Sequence, residues 1–150
     1  MESKLTEKKT TQQTDDNFVV VENLVKHFPI RGGILKKVVD WVQAVDGVSF
    51  TVRKGETLGL VGESGCGKTT VGMTMLRLLE PTSGSVKISG VNNIYDLDRK
   101  GLKEMRRQAQ IIFQDPYASL NPRKPIGDSI LDGLQIHRIG TPKERRQIMV

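Results

Sequence analysis

Eight consecutive residues carry the most legible chemistry in this chain: Gly62, Glu63, Ser64, Gly65, Cys66, Gly67, Lys68 and Thr69. They fit G-x-x-x-x-G-K-[ST], a loop that cradles phosphate. Glycine at 62, 65 and 67 lets the backbone turn with its N–H groups pointing inward, where a side chain would clash. Those donors, and the N-terminus of a following helix, attract phosphate oxygens. Lys68 is placed to reach the β- and γ-phosphates of a nucleotide, and the Thr69 hydroxyl to ligate Mg²⁺. Cys66 stands at the same helix start, where a thiolate is favoured. The alternative is a glycine-rich turn that binds nothing.

The flanking elements suit the motif. Thr57, Leu58, Gly59, Leu60 and Val61 form a short apolar run that predicts a buried strand leading into the loop. From Thr69 to Leu79, apolar residues at Val71, Met75, Leu78 and Leu79 predict a helix leaving it. Strand, loop and helix together are the context the motif needs.

Upstream, residues 1–17 are polar and charged and predict a disordered tail. Phe18 to Val25 predicts a strand. Ile34, Leu35, Val38, Val39 and Val42 have helical spacing, so residues 30–43 are either a short amphipathic helix or a long hairpin. His27 reads as a surface residue. Residues 48–52 and 85–89 alternate apolar and polar, the mark of half-buried strands. Residues 48–52 and the run at 57–61, joined by a turn at Lys54 and Gly55, are expected to be antiparallel. Downstream, residues 98–108 predict a helix and Ala109 to Phe113 a buried strand. Ile126, Ile130, Leu131 and Leu134 mark another helix. Thr141, Pro142 and Glu144 form the start signal of one more: a cap, a proline in the first turn and an acid three residues after the cap.

Composition sets bounds on class. The chain has 150 residues, enough for one core. Its net charge is +6, but Lys and Arg are spread along it and aromatic residues make up only 5%. That gives no stacking platform for nucleic acid. The single cysteine excludes an intrachain disulfide. No apolar run is long enough for a transmembrane helix, and the start lacks the apolar core of a secretory signal. A cytosolic protein is expected, with any membrane association through a partner.

A phosphate loop alone does not hydrolyse a nucleotide. Mg²⁺ is usually also held by an Asp at the end of a second buried strand. Ile111 to Asp115 is a poor match: Gln114 interrupts the apolar run, no Glu follows Asp115, and Pro116 comes next.

Here a resemblance becomes specific. Ala44 to Phe50, Gly55 to Thr70, Leu78 to Gly84 and Ile112 to Pro122 resemble the ATP-binding subunit of ABC transporters. The last stretch resembles the oligopeptide/dipeptide importer branch, and the likeness runs from about Phe18 to Val150. It implies an α/β P-loop NTPase fold: an ABC-type nucleotide-binding domain with an antiparallel β subdomain. Residues 18–150 would be its N-terminal portion, ending inside the helical region before the signature motif. Residues 62–70, including Thr70, would hold ATP and Mg²⁺. Phe28 would stack on adenine and Val45 line the same pocket. Gln114 would be the Q-loop glutamine, touching Mg²⁺ and the attacking water, with Lys68 the other catalytic residue. Implied partners are a second nucleotide-binding subunit, membrane permease subunits and, indirectly, an extracytoplasmic solute-binding protein. Nucleic acid is not expected. The implied location is the cytoplasmic face of the cell membrane.

The chain also departs from that pattern. The signature Leu-Ser-Gly-Gly-Gln, the second-strand Asp, the Glu after it and the switch His are absent, and His137 lacks the switch context. Without the strand carrying that Asp, apolar surface beside the P-loop strand is expected to be exposed. The isolated chain is therefore expected to be marginal in stability and slow in hydrolysis. Two other readings stay open: a chain that binds nucleotide without turnover, and a soluble ABC-type ATPase acting on nucleic acid.

Overall fold

The computed structural model describes residues 16–34, 36–115 and 120–149. Most of the expected tail, residues 1–15, lies outside them, as do Pro116 to Ser119 of the importer-like stretch. The elements in order are β1 (Asn17–Gly32), β2 (Lys37–Arg53), α1 (Lys68–Met75), β3 (Ser83–Ile88), a 3₁₀ turn (Ile94–Asp96), α2 (Arg99–Gln108), α3 (Ile126–Ile136) and α4 (Pro142–Met149).

The three strands form one antiparallel sheet in the order β2-β1-β3. The undecided stretch at 30–43 is a hairpin: β1 and β2 pair continuously from Asn17–Arg53 out to Gly32–Lys37. Its apolar spacing fits a helix only when the residues are taken as one run. Ile34 falls in the turn and Val38, Val39 and Val42 fall on β2, where pairing with β1 satisfies the backbone. Register shifts between Val21 and Leu24, where Asn23 has φ 47°. The Asn23 N–H displaced there donates to Ser49 Oγ at 2.8 Å, so the bulge leaves no orphan donor.

The core joins all three strands to the two helices that follow. Val21 and Leu24 of β1, Val45 of β2, Val86 and Ile88 of β3, Val71 of α1, Ile94 of the 3₁₀ turn and Met105 of α2 are all buried. Helix α1 is shorter than its apolar spacing predicts. It ends at Met75 because Arg77 adopts φ 51°. The Arg77 guanidinium donates to the Ile94 and Leu97 carbonyls at 3.3 and 2.8 Å, which ties the end of α1 to the 3₁₀ turn. Leu78 and Leu79 therefore leave the helix.

Two expected strands are not formed. Residues 57–61 and 109–113 have no strand pairing, and Val61 and Ile112 are almost fully exposed. A strand exists through its partner's hydrogen bonds, whatever the propensity of its side chains. Among the described residues no strand pairs with either segment. The turn at Lys54 and Gly55 accordingly leads from β2 into an extended segment, and the antiparallel pair expected there is absent.

The start signal at Thr141 is a complete capping box. The Thr141 N–H donates to Glu144 Oε2 at 2.6 Å and the Glu144 N–H donates to Thr141 Oγ1 at 3.4 Å. The Thr141 amide, and then its hydroxyl, hold the Glu144 carboxyl below its ordinary range. A depressed carboxyl stabilises the folded helix above its unfolded titration range, and that contribution disappears as pH falls through the folded one. We expect the Thr141 amide resonance to shift and α4 amides to exchange faster as pH drops through the carboxylate range. Glu144→Gln should remove the pH dependence in the same NMR titration.

Candidate functional site

The phosphate loop begins where the extended segment 57–61 ends and closes on α1. Gly65 and Gly67 have φ 82° and 95°, in the left-handed region that glycine favours. Gly67 is the N-cap of α1 and supplies no side-chain cap, and the first turn of the helix contains no acid. The leading N–H groups of α1 are thus left for an external acceptor.

Lys68 lies across the mouth of the loop. Its Nζ donates to the Gly62 and Glu63 carbonyls at 2.8 and 2.6 Å and approaches Cys66 Sγ at 3.4 Å. The ammonium is therefore positioned by the loop's own backbone. Cys66 is exposed and packs against Gly62 so closely that a Cβ there would stand 2.6 Å from its sulfur. A maleimide on Cys66 would occupy the loop mouth. We expect labelling to abolish nucleotide binding and bound nucleotide to slow labelling, read by mass spectrometry. Equal labelling rates with and without nucleotide would contradict this placement.

Two recesses meet at Lys68 and Thr69. One, of about 150 Å³, is lined by Ala44, Gly65, Gly67, Lys68, Thr69 and Thr70. The other, of about 360 Å³, is lined by Leu60, Lys68, Thr69, Gly72 and residues 111–114. The structure thus brings Gln114 to the same cleft as Lys68 and Thr69, although 45 residues separate Gln114 from Thr69 in sequence. Gln114 itself is exposed at the end of an unpaired segment.

The two residues expected around a base are placed differently. Val45 is 4% exposed and belongs to the core, behind Gly67, where it supports the loop from beneath. Its neighbour Ala44 lines the first recess, and nothing in the sequence marks Ala44 for that position. Phe28 stands on β1 opposite Val42, with the Lys26 ammonium 4.7 Å from its ring centre, outside the lining of either recess. His27, read as a surface residue, is half-buried; its Nε2 lies 3.2 Å from Asp46 Oδ1.

Among the described residues no cluster of three or more His, Cys, Asp or Glu side chains could hold a metal alone. The cleft offers a hydroxyl from Thr69 and an amide oxygen from Gln114. This hard, oxygen-only pair suits Mg²⁺ that arrives with phosphates and keeps its waters.

Residues 45–149 match the ABC transporter family. The chain belongs to that family. The match takes in residues 62–69 and Gln114. Among curated ABC proteins, the oligopeptide transport ATP-binding protein AppF of Bacillus subtilis is 45% identical over 91% of this chain and 42% of its own length. The glutathione import ATP-binding protein GsiA of Escherichia coli is 51% identical over 83% of this chain and 20% of its own length. The chain therefore spans less than half the length of these relatives. The ABC cassette MJ0796, solved as a dimer in a post-hydrolysis state bound to ADP and Pi, superposes with TM-score 0.67 and 26% identity over 87% of this chain and 53% of that one. The ABC-type α/β fold with an antiparallel β subdomain is thus as the resemblance implies.

Proposed function

We propose that this chain supplies the phosphate-binding half of an ATP-driven importer of oligopeptides or dipeptides. The observation that carries the reading is the cleft where Lys68, Thr69 and Gln114 converge beside the open N-terminus of α1. The names of its curated relatives, peptide and glutathione import ATP-binding proteins, support the solute class.

In this reading the loop amides and Lys68 hold the β- and γ-phosphates of ATP. Thr69 and Gln114 ligate Mg²⁺, which screens phosphate charge. Gln114 also orients the attacking water; Phe28, on β1 outside both recesses, offers its ring to adenine beyond them, and Val45 backs the loop from the core. The rest of the hydrolytic machinery, including the Glu that would activate water, is not supplied by these residues, so the chain alone turns ATP over poorly. A second nucleotide-binding subunit completes each site by closing on it. Permease subunits at the cytoplasmic face of the membrane receive the motion, and a solute-binding protein delivers the peptide to them.

Calorimetric titration with ATP, with and without Mg²⁺, tests this. ATP should bind, and Mg²⁺ should tighten it. Thr69→Ala should remove most of that gain, roughly tenfold, while Gln114→Ala leaves ATP affinity within about threefold. A folded chain that ignores ATP under both conditions would exclude the proposal.

A further inference from the structure

The distal hairpin of β1 and β2 takes no part in the nucleotide cleft, and most of it, residues 30–42, lies ahead of the family match that starts at residue 45. It carries a dense group of exposed apolar side chains: Ile30, Ile34, Val38, Val39, Trp41 and Val42. They do not share a face. Ile30 pairs with Asp40 and Phe28 with Val42, while Pro29 pairs with Trp41 and Arg31 with Val38. Successive strand residues point to opposite sides, so Ile30 and Val42 project from one side and Trp41 from the other, and the register shift between Ile30 and Arg31 carries Val38, opposite Arg31, to the side of Trp41. A sheet meant to lie in one protein groove is apolar on a single face.

The charges interleaved with these residues have one dominant sign. Arg31, Lys36 and Lys37 are all exposed. The only acid from residue 31 to residue 42 is Asp40, whose carboxylate accepts the Trp41 backbone N–H at 2.7 Å. Three cations against one anion leave +2 on the tip. An element apolar on both sides, with cations at its end and a tryptophan part-way along, matches the headgroup layer of an anionic bilayer. Indole rings settle at that depth, apolar side chains reach the acyl boundary, and Lys and Arg meet lipid phosphates. No described helix is long and apolar enough to cross a membrane, so the contact is interfacial.

We infer that residues 30–42 dock on the headgroup region of an anionic phospholipid membrane. Trp41, Val38 and Val39 enter the interface, and Arg31, Lys36 and Lys37 face the phosphates. This contact is direct and independent of the nucleotide site and of any permease subunit.

Trp41 is the only tryptophan of the chain, so its emission reports on the hairpin alone. The purified chain is mixed with phosphatidylcholine vesicles, with or without phosphatidylglycerol. Emission should shift to the blue and be quenched by bromine-labelled acyl chains when phosphatidylglycerol is present, and both effects should fade at high salt. The double variant Lys36→Glu/Lys37→Glu should partition at least roughly tenfold more weakly, and Val39→Asp should also weaken binding. All three positions are exposed, so the thermal melt should be unchanged. No emission change at any phosphatidylglycerol content overturns the inference. So does vesicle binding that survives the charge reversal. Binding that leaves Trp41 emission unaltered places the contact elsewhere, such as at Val61 and Ile112, and overturns it too. If the hairpin ignores vesicles but is protected by an acidic permease segment, the occupant is protein and the lipid assignment falls.

Discussion

Lys68→Ala should lower the affinity of the chain for ATP by roughly 30- to 150-fold, the equivalent of about 2–3 kcal/mol for a charge-assisted contact to phosphate. The melting transition should hardly move. The ammonium bonds to atoms of its own loop, the Gly62 and Glu63 carbonyls and Cys66 Sγ, and all three residues are exposed. Water can replace it there, so little folding stability is lost. Lys68→Arg should restore only part of the affinity, because a planar fork cannot reproduce a compact ammonium placed between two carbonyls. Titration calorimetry and a thermal melt on the same samples separate the two effects. ATP affinity unchanged in Lys68→Ala would mean that the loop is only a turn.

Gly67→Ala should cost about 3–5 kcal/mol of stability, because two separate penalties fall on one residue. The first is backbone strain: φ is 95°. The second is steric. A Cβ at this position would stand 2.1 Å from the Ala44 carbonyl oxygen and 3.9 Å from Val45 Cγ2. That oxygen belongs to the backbone of β2, so it can retreat only by moving a strand away from the core. Gly65→Ala is the control, since Gly65 has φ 82° but open space around its Cβ position; it should cost about 1–2 kcal/mol, the strain alone. Denaturant melts of the two variants should differ by the steric part. Equal losses would show that β2 does not press on the loop as described.

The phosphate loop, β3, helices α2 and α3 and the capping box of α4 were legible because their signals are local. A glycine that needs positive φ, a Thr with a Glu three residues on, and a short alternating run each act within one element. The hairpin was not decidable, since Ile34, Val38 and Val42 satisfy a helical period and a folded-back pair of strands equally well. Only the pairing of Ile30 with Asp40 and Arg31 with Val38 separates the two. The segments 57–61 and 109–113 read as buried strands and are unpaired and largely exposed, because apolar composition marks what a segment would bury, while pairing depends on what lies beside it. Gln114 could be assigned to the cleft only through resemblance. No local pattern reports that residue 114 meets residue 69. Ala44 was invisible for a related reason: its carbonyl supports Gly67, and a backbone oxygen leaves no trace in sequence.

Neither α3 nor α4 contains a buried residue, whereas α1 contributes Val71 and Thr74 to the interior. Local opening costs less where less apolar area must be wetted. The chain therefore divides into two cooperative units of unequal durability. Residues 126–149 can fray and reform many times while the sheet and α1 stay shut. A phosphate held by Lys68 and the α1 amides is gripped by the durable unit, and the outer helices can be rearranged by a neighbour without loosening that grip.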